Sequence, residues 1–279
     1  MPEQTIENEY SRLEFSNAFM FGNIMNEPER CKRFLEEILG FPIHHVDLVG
    51  SERTMKFREA SHGIRLDIYA EDGKTIYNCE MQTEDEKDLP KRSRYYQGLI
   101  DTLKLKPGED YNLLKKTFII FICKFDLFGQ GRYVYRFESR CEDDYNLKLE
   151  DDAIKVFINT KGVVGEISES FKELIHFMDS SEIKEYKSDL VNDLKNALIE
   201  ARANEEWRAE YMRELGLENE LLRKGRAEGL IEGRAEGLAS LVDSLKKFCP
   251  DFDTLYQNVV ENKTYADVTE DDVKKYYYS

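Results

Sequence analysis

The sequence contains no uninterrupted apolar run close to the roughly 18–20 residues that a membrane-spanning helix requires. Its first residues, MPEQTIENEYSRLEF, are acidic and lack the hydrophobic stretch of a secretory signal peptide. The five cysteines are odd in number, are scattered along the chain and form no C-x-x-C pair. We therefore expect no membrane segment, no disulfide framework and a reducing, cytoplasmic location.

Histidine is scarce, and this scarcity limits the kinds of site that the chain can build. The four histidines do not stand at ligand spacing from any cysteine, so a zinc site is unsupported. A Cys–His hydrolase is disfavoured as well, because no spacing resembles a nucleophile motif and buried cysteines are usually small core residues. The residues weighed are Cys31, Cys79, Cys123, Cys141, Cys249, His44, His45, His62 and His176.

Positive charge is in deficit, since the formal net charge is −16. This balance argues against a general nucleic-acid coat protein, because duplex binding is driven largely by Lys and Arg displacing counterions. Much of the negative surplus lies in residues 138–152 and beyond residue 200. A locally basic rim, sufficient for a weak, metal-dependent grip on a phosphate backbone, is formed by Arg53, Lys56, Arg58, Arg65, Lys87, Lys91, Arg92 and Arg94.

Two adjacent stretches alternate strictly between apolar and polar residues. They are IRLDIYAEDG (64–73) and KTIYNCEMQ (74–82), and such a period of two is typical of half-buried strands. The Asp-Gly pair between them predicts a tight turn, because glycine tolerates the positive φ that hairpin turns require. We therefore predict an antiparallel hairpin.

The hydrophobic pattern also restricts the register of this hairpin. A two-residue loop pairs Arg65 with Glu80, and a four-residue loop pairs Asp67 with Glu80. Both arrangements place Asp67 and Glu80 on one face and the apolar residues on the other, whereas an odd loop would scatter the apolar residues. The pattern therefore brings two carboxylates together and leaves the loop length open.

Two carboxylates on one face of a strand pair destabilise the sheet unless a positive charge lies between them. A divalent cation meets this need, because Mg²⁺ is typically held by one or two carboxylates, waters and substrate phosphate. We expect Mg²⁺ at Asp67 and Glu80, with Mn²⁺ as an alternative. The pattern alone fits a second interpretation equally well, a solvated polar face on which Arg65 neutralises one acid.

The remaining pattern predicts helices at 11–22, 28–39 and 89–108 and strands near 45–49 and at 117–125, 132–138 and 153–159. Five strings in this region match a known pattern, namely FSNAFMFGNIMNEPERCKRFLEEILGFPI (15–43), RLDIYAEDG (65–73), YNCEMQ (77–82), PKRSRYYQGLID (90–101) and GEDYNLLKKTFIIFI (108–122). Of these, the Y-N-x-E-M-Q and K-R-x-x-Y-Y patterns are fairly specific in combination. Together they resemble the recombination-promoting nuclease and transposase family of the PD-(D/E)XK nuclease superfamily. The resemblance implies an α/β fold, a restriction-endonuclease-like α/β/α sandwich around a mixed sheet.

The resemblance also implies roles for individual residues. Asp67 and Glu80 would hold the metal, and Gln82 stands where the superfamily motif often has lysine. A glutamine can hold the attacking water by hydrogen bonds but supplies no positive charge. Arg92 or Arg94 is the candidate phosphate clamp. The predicted DNA contacts are Arg65, Arg92, Arg94 and Tyr95.

The first predicted helix departs from the family pattern. Relatives usually carry an Asp and a Lys in this segment, where this chain has Asn17 and Met20. Any acidic contribution from the N-terminal helices would then come from Glu14 or Glu36.

From about residue 166 the chain reads as helical and acidic. The repeat KGRAEGLIEGRAEGLASL (224–241) spaces four glycines four residues apart, which costs a helix roughly 0.5–1 kcal/mol at each one. It is read either as a helix that packs against something, through small residues that allow close approach, or as a loosely ordered linker. The helical interpretation predicts either self-association, as a homodimer through this segment, or docking of the helix on the core. We predict a nuclease-like domain at 1–165, a helical extension at 166–240 and a small helical tail at 241–279.

Two functions remain open at this point. The first is a Mg²⁺-dependent DNA endonuclease connected with recombination, mobile elements or defence against foreign DNA. The second is a non-catalytic relative that keeps the fold as a binding or oligomerisation scaffold. The retention of both Asp67 and Glu80 favours the enzyme.

Overall fold

A mixed sheet is the centre of the computed structural model, which describes residues 9–48 and 67–278. Six strands belong to it within these residues, in the order β1-β2-β3-β4-β6-β5. β3 and β4 run parallel, as do β4 and β6, and the other neighbours are antiparallel. The strands are β1 Asp47–Leu48, β2 Ile68–Glu71, β3 Thr75–Gln82, β4 Lys116–Cys123, β5 Val134–Phe137 and β6 Ala153–Asn159.

Helices precede, interrupt and follow this sheet. Their bounds are α1 Ala18–Ile24, α2 Pro28–Leu39, α3 Leu89–Lys104, α4 Glu169–Ser180, α5 Asp189–Ala203, α6 Glu205–Leu245, α7 Phe252–Glu261 and α8 Glu270–Tyr277. None of the helices in the described residues is long and apolar enough to cross a membrane.

The sheet lies between two layers of helices. On one face α3 packs on a cluster that includes Tyr96, Ile100, Ile119, Phe121 and Phe157. The other face carries the alternate residues of the strands, and α1 packs against β3 there while α5 contacts α1, α2 and α4. This arrangement is the predicted α/β/α sandwich around a mixed sheet, followed by helices.

Local sequence explains where several elements begin and end. α2 has Pro28 in its first turn and stops at Gly40, which adopts a left-handed conformation with φ 76°. Glycine reaches this conformation without steric cost, so the predicted stop is confirmed. The helix predicted at 11–22 instead begins after Asn17, whose side chain accepts hydrogen bonds from the N–H groups of Phe19 and Met20. Gly22 lies inside this helix and does not end it.

The prediction of half-buried hairpin strands is wrong for β2 and β3. Every residue of β2 is buried, and so is each residue of β3 between its two ends. β3 has a hydrogen-bonded neighbour on either side, and α3 covers the face that carries Glu80. The carboxylate face therefore lies beneath a helix and away from open solvent. Residues 64–66 of the predicted first strand, with Arg65, are outside the described residues.

The chain divides into two compact units, the first ending at Arg208 and the second running from Ala209 to Ser279. In the first unit, α4 and α5 complete the apolar core over α1 and α2. The ring centroids of Phe15 and Phe177 are 5.2 Å apart, and the Tyr10 hydroxyl donates to the Ala201 carbonyl. The predicted domain boundaries at 165 and 240 remain predictions about which parts of the chain fold alone.

The second unit has its own small core, formed where the end of α6 meets α7 and α8. Leu238, Val242, Leu255, Val259 and Val273 are buried together there. Gly237 lies against the hydroxyl of Tyr265, where a larger side chain would clash. The predicted small helical tail is therefore a packed cluster.

The packing of α4 and α5 generates a prediction about truncation. A chain ending at residue 208 should melt cooperatively, whereas a chain ending at residue 165 should not. The shorter chain loses six completely buried apolar side chains and exposes the surface that they cover. Circular dichroism melting of both chains is the measurement, and a cooperative transition at equal temperature would contradict the prediction. The six side chains are Leu174, Phe177, Met178, Val191, Leu194 and Leu198.

Candidate active site

The register of the β2–β3 hairpin decides between the two loop lengths, two and four residues, that the sequence left open. Ile68 pairs with Cys79 and Glu71 with Ile76, which is the register predicted for the four-residue loop, and the Asp72 N–H also donates to the Thr75 carbonyl across the turn. One step further along this register Asp67 lies opposite Glu80. The backbone N–H of Met81 donates to Asp67 Oδ2 at 2.9 Å, which fixes the carboxylate beside this end of β3. The two acids are therefore close together.

Glu80 is a buried acid with one unsatisfied oxygen. The residue is 3% exposed, and its Oε2 accepts a hydrogen bond from the Tyr96 hydroxyl at 3.2 Å. Its Oε1 is buried and has no hydrogen-bond partner among the described residues, and the same holds for both amide atoms of Asn78, two residues earlier on the same face. Such buried polar atoms are costly, and each one in a folded protein requires an explanation.

The surroundings of Glu80 disfavour its ionised form. Burial raises the pKa of Glu80 to about 8, and the nearby charge of Asp67 acts in the same direction. Arg92, Tyr96 and the nearby amide of Asn78 oppose this rise without cancelling it. Burial and the charge of Glu80 raise the pKa of Tyr96 above its ordinary range, so its hydroxyl remains a donor. A cation next to Glu80 would favour the carboxylate.

Arg92 of α3 is the positively charged member of this cluster. Its Nη1 donates to Gln82 Oε1 at 3.1 Å, and its Nη2 donates to the Tyr96 hydroxyl at 3.1 Å. Nη2 also lies 3.5 Å from Glu80 Oε2. The guanidinium carbon stands 5.8 Å from the ring centroids of both Tyr96 and Phe121, which allows cation–π attraction. Helix α3 thus places a positive charge beside Glu80, near the end of β3.

The two N-terminal acids lie in different places. Glu14 forms an ion pair with Lys124, whose backbone N–H donates to the Gln82 carbonyl at 2.9 Å. Glu36 accepts a hydrogen bond from the Ile43 N–H at 2.7 Å and so serves the turn after α2. Only Glu14 is linked to the strand end that carries the site.

The predicted DNA contacts divide in the same way. Arg92 belongs to the cluster, and Gln82 and Tyr96 hold it there. Arg94 and Tyr95 are exposed on the outer side of α3, and no hydrogen bond in the described part of the chain joins them to the cluster. Arg65 is outside the described residues. Contacts of these three residues with DNA remain predictions.

The residues present fit a divalent metal ion in one respect that the structure shows directly. Mg²⁺ and Mn²⁺ prefer oxygen ligands, and Glu80 Oε1 is a buried carboxylate oxygen without a partner beside Asp67. Within the described residues no group of three or more His, Cys, Asp or Glu side chains could hold a metal. A metal here would therefore rest on two carboxylates, and backbone carbonyl groups, waters or substrate oxygens would supply the other ligands.

The family model described as PD-(D/E)XK nuclease family transposase matches residues 15–196. The chain belongs to this family. No curated protein and no solved structure matches the chain. The family confirms the resemblance found in the sequence, and the match extends to residue 196, which includes α4 and most of α5.

Membership in the PD-(D/E)XK nuclease family indicates nuclease-type activity, with DNA as the implied substrate. Nucleases of this superfamily generally use divalent metals. The cluster of Asp67, Glu80 and Gln82 lies within the matched region, at the end of β3.

Two members of the cluster, Tyr96 and Asn78, were not among the predicted site residues. Tyr96, and not its neighbour Tyr95, contacts Glu80, because Tyr96 lies one helical turn after Arg92 on the buried side of α3. Asn78 was treated only as part of the polar face of β3. The signal for Asn78 was a polar residue in a strand that is covered on both faces. This signal can be recognised only once it is known that α3 covers the face that carries Asn78.

The raised pKa of Glu80 predicts a pH-dependent stability. The folded protein holds the proton of Glu80 more tightly than the unfolded chain does, so protonation of Glu80 adds to the free energy of unfolding. This contribution is fully present below pH about 4.5 and is lost as the pH rises towards about 8. Glu80→Gln removes the titration, so without metal its melting temperature should exceed that of the wild type by about 10 °C at pH 8.

The measurement is thermal melting in EDTA at pH 5 and at pH 8. The difference should shrink at pH 5, where the wild-type carboxyl is mostly protonated. A Glu200→Gln variant, altered at an exposed carboxylate of α5, serves as the control and should show no difference at either pH. A constant offset for Glu80→Gln at both pH values would contradict the assignment.

Proposed function

We propose that the chain is a metal-dependent DNA endonuclease that hydrolyses phosphodiester bonds in the cytoplasm. Mg²⁺ is the proposed ion and Mn²⁺ the alternative. The observation that carries the proposal is the buried, unpartnered Oε1 of Glu80 beside Asp67, next to an arginine held in place. The biological setting that we propose is recombination, mobile elements or defence against foreign DNA.

Asp67 and Glu80 would hold the metal. When bound there, a divalent ion lowers the pKa of a water and neutralises charge on phosphate oxygens. Hydrolysis forms a bond from the water oxygen to phosphorus and breaks the bond from phosphorus to one sugar oxygen, which takes up a proton. No oxidant or reductant is required.

The chain's own residues arrange the remaining groups. Gln82 directs its amide oxygen to Arg92, so its Nε2 is the end available to hold the water or a phosphate oxygen. Arg92 offers a guanidinium to the phosphate, and α3 with Phe121 keeps that face of the sheet dry. The exposed residues Arg94 and Tyr95 are proposed to contact DNA further from the cut.

The test is nicking of supercoiled plasmid by purified protein in Mg²⁺, in Mn²⁺ and in EDTA. Asp67→Ala and Glu80→Ala should each lower the rate at least about 100-fold, because each removes a metal ligand. Glu200→Ala, which removes an exposed carboxylate on α5, is the matched control and should cut as the wild type does.

Cutting that survives both site substitutions would place the activity elsewhere. A wild type that neither cuts DNA nor binds Mg²⁺ or Mn²⁺ by calorimetry would favour the alternative, a nuclease fold retained as a binding or oligomerisation scaffold.

A homodimer through 224–241 is a second, independent part of the proposal. In α6 every side chain from 221 to 234 is exposed, on all sides of the helix. Leu222, Leu230 and Ile231 are 65–74% exposed, and a side chain added at the first three glycines of the repeat would meet nothing within 4 Å in the described residues. Helices gain most of their stability from packing, so this glycine-rich stretch is best explained by a partner, which we propose is a second copy.

Sedimentation velocity tests the dimer. The wild type should sediment as a dimer, and Leu230→Gln combined with Ile231→Gln should shift it to the monomer, because both apolar side chains are withdrawn from the proposed contact. Arg223→Gln combined with Glu228→Gln, which also alters two exposed positions of α6, controls for general effects. A wild type that is monomeric at all concentrations would remove this part of the proposal.

A further inference from the structure

The way in which Arg92 is held goes beyond what a phosphate clamp requires. Its side chain is 24% exposed, and it donates to Gln82 and to Tyr96 while it lies next to Glu80. A surface clamp would keep its rotamer freedom until it meets DNA. This guanidinium is fixed beforehand by hydrogen bonds to Gln82, Tyr96 and Glu80 and by two aromatic rings. Glu86 and Asp88 also lie within 4 Å of its Nη1. The entropy of fixing it is lost when the protein folds and not when substrate binds.

Gln82 is the residue that sets the position of this cation. An arginine has only donors, so the Gln82 amide must direct its oxygen, and not its nitrogen, towards Nη1. The 3.1 Å contact places the side-chain amide of Gln82 and the guanidinium of Arg92 next to each other at the end of β3. Tyr96 holds the other side of the fork and at the same time donates to Glu80.

In the proposed reaction, a positive charge at this location would act on the phosphate that is cut. Negative charge grows on the phosphate oxygens in the transition state, and fixed charges in a dry site stabilise it more than mobile ones in water. Gln82 is neutral and cannot supply that charge from the strand. The guanidinium delivered from α3 can, and it lies within hydrogen-bond distance of the same point.

We infer that Arg92 is the electrostatic catalyst of the cleavage reaction and that Gln82 and Tyr96 act as positioning residues for it. The inference rests on the proposed nuclease function. According to this inference, cleavage requires a positive charge where the side chains of residues 82 and 92 meet, and that charge can come either from β3 or from α3.

The decisive experiment transfers the charge from the helix to the strand. The variants are Arg92→Gln, Gln82→Lys and the double variant Gln82→Lys/Arg92→Gln. Lys187→Gln is the control, because it removes an exposed positive charge between α4 and α5 that belongs to no proposed site. Single-turnover cleavage is measured at saturating protein and Mg²⁺, so that weaker binding does not affect the rate.

Arg92→Gln should lower the single-turnover rate by about 100-fold or more, the loss typical for removing one transition-state donor. Gln82→Lys alone should also be slow, because two cations then crowd one place. The double variant should recover at least about 10-fold over Arg92→Gln, and Lys187→Gln should stay close to the wild type. A purely structural arginine would not be rescued by a lysine on β3.

Thermal melting of the same variants supplies a readout that does not depend on activity. Gln82→Lys should lower the melting temperature in the presence of Arg92 and lower it less, or not at all, in the Arg92→Gln background. An equal effect in both backgrounds would show that the two side chains do not share a location and would overturn the inference.

The failures of the two proposals are distinguishable. A wild type that cuts DNA, with a double variant that is folded but as slow as Arg92→Gln, overturns the inference and leaves the nuclease standing. A wild type that cuts no DNA with either metal removes the nuclease, and with it the catalytic role of Arg92.

Discussion

The burial of Glu80 in the central strand is the constraint on which the other features of the site depend. A carboxylate with so little exposure is unfavourable unless it is protonated or faces positive charge. Arg92 provides part of that charge from α3, and Tyr96 adds a donor. One oxygen nevertheless remains without a partner. A folded protein that keeps such an atom accepts a cost in stability, which is usual where a site awaits a ligand.

The same constraint explains the role of the aromatic residues above the sheet. Tyr96 and Phe121 lie under the Arg92 guanidinium and exclude water from the face that carries Glu80. A drier environment strengthens each electrostatic interaction and also raises the cost of each unpaired group. Replacing Arg92 or Tyr96 therefore has two effects: it removes a strong interaction, and it leaves Glu80 with fewer partners in a dry environment. Packing and chemistry at this end of β3 cannot be separated.

The order of the elements and the facing of Asp67 and Glu80 could be predicted because they depend on local rules. Alternation fixes which residues share a face, and Gly40 ends α2 for a steric reason. The loop of four residues could not be distinguished from one of two, because both keep the apolar pattern intact. The cover provided by α3, and with it the choice of Tyr96 over Tyr95, depends on packing between segments distant in sequence.

In helix α6 the local sequence indicates the secondary structure but does not identify what packs against the helix. The i, i+4 spacing of Arg and Glu favours a helix over a linker. The structure has a helix there, although four glycines weaken any isolated helix. Only Gly237 meets a neighbour within the second unit, where the hydroxyl of Tyr265 fills the space a side chain would need. A pattern of small residues thus reports that close approach is allowed, but not what approaches. For Asp67 and Glu80 the chemistry of the side chains narrows the candidate ligands to a cation. For the glycines of α6 only the shape of the helix surface is known, so the identity of the partner has to come from experiment.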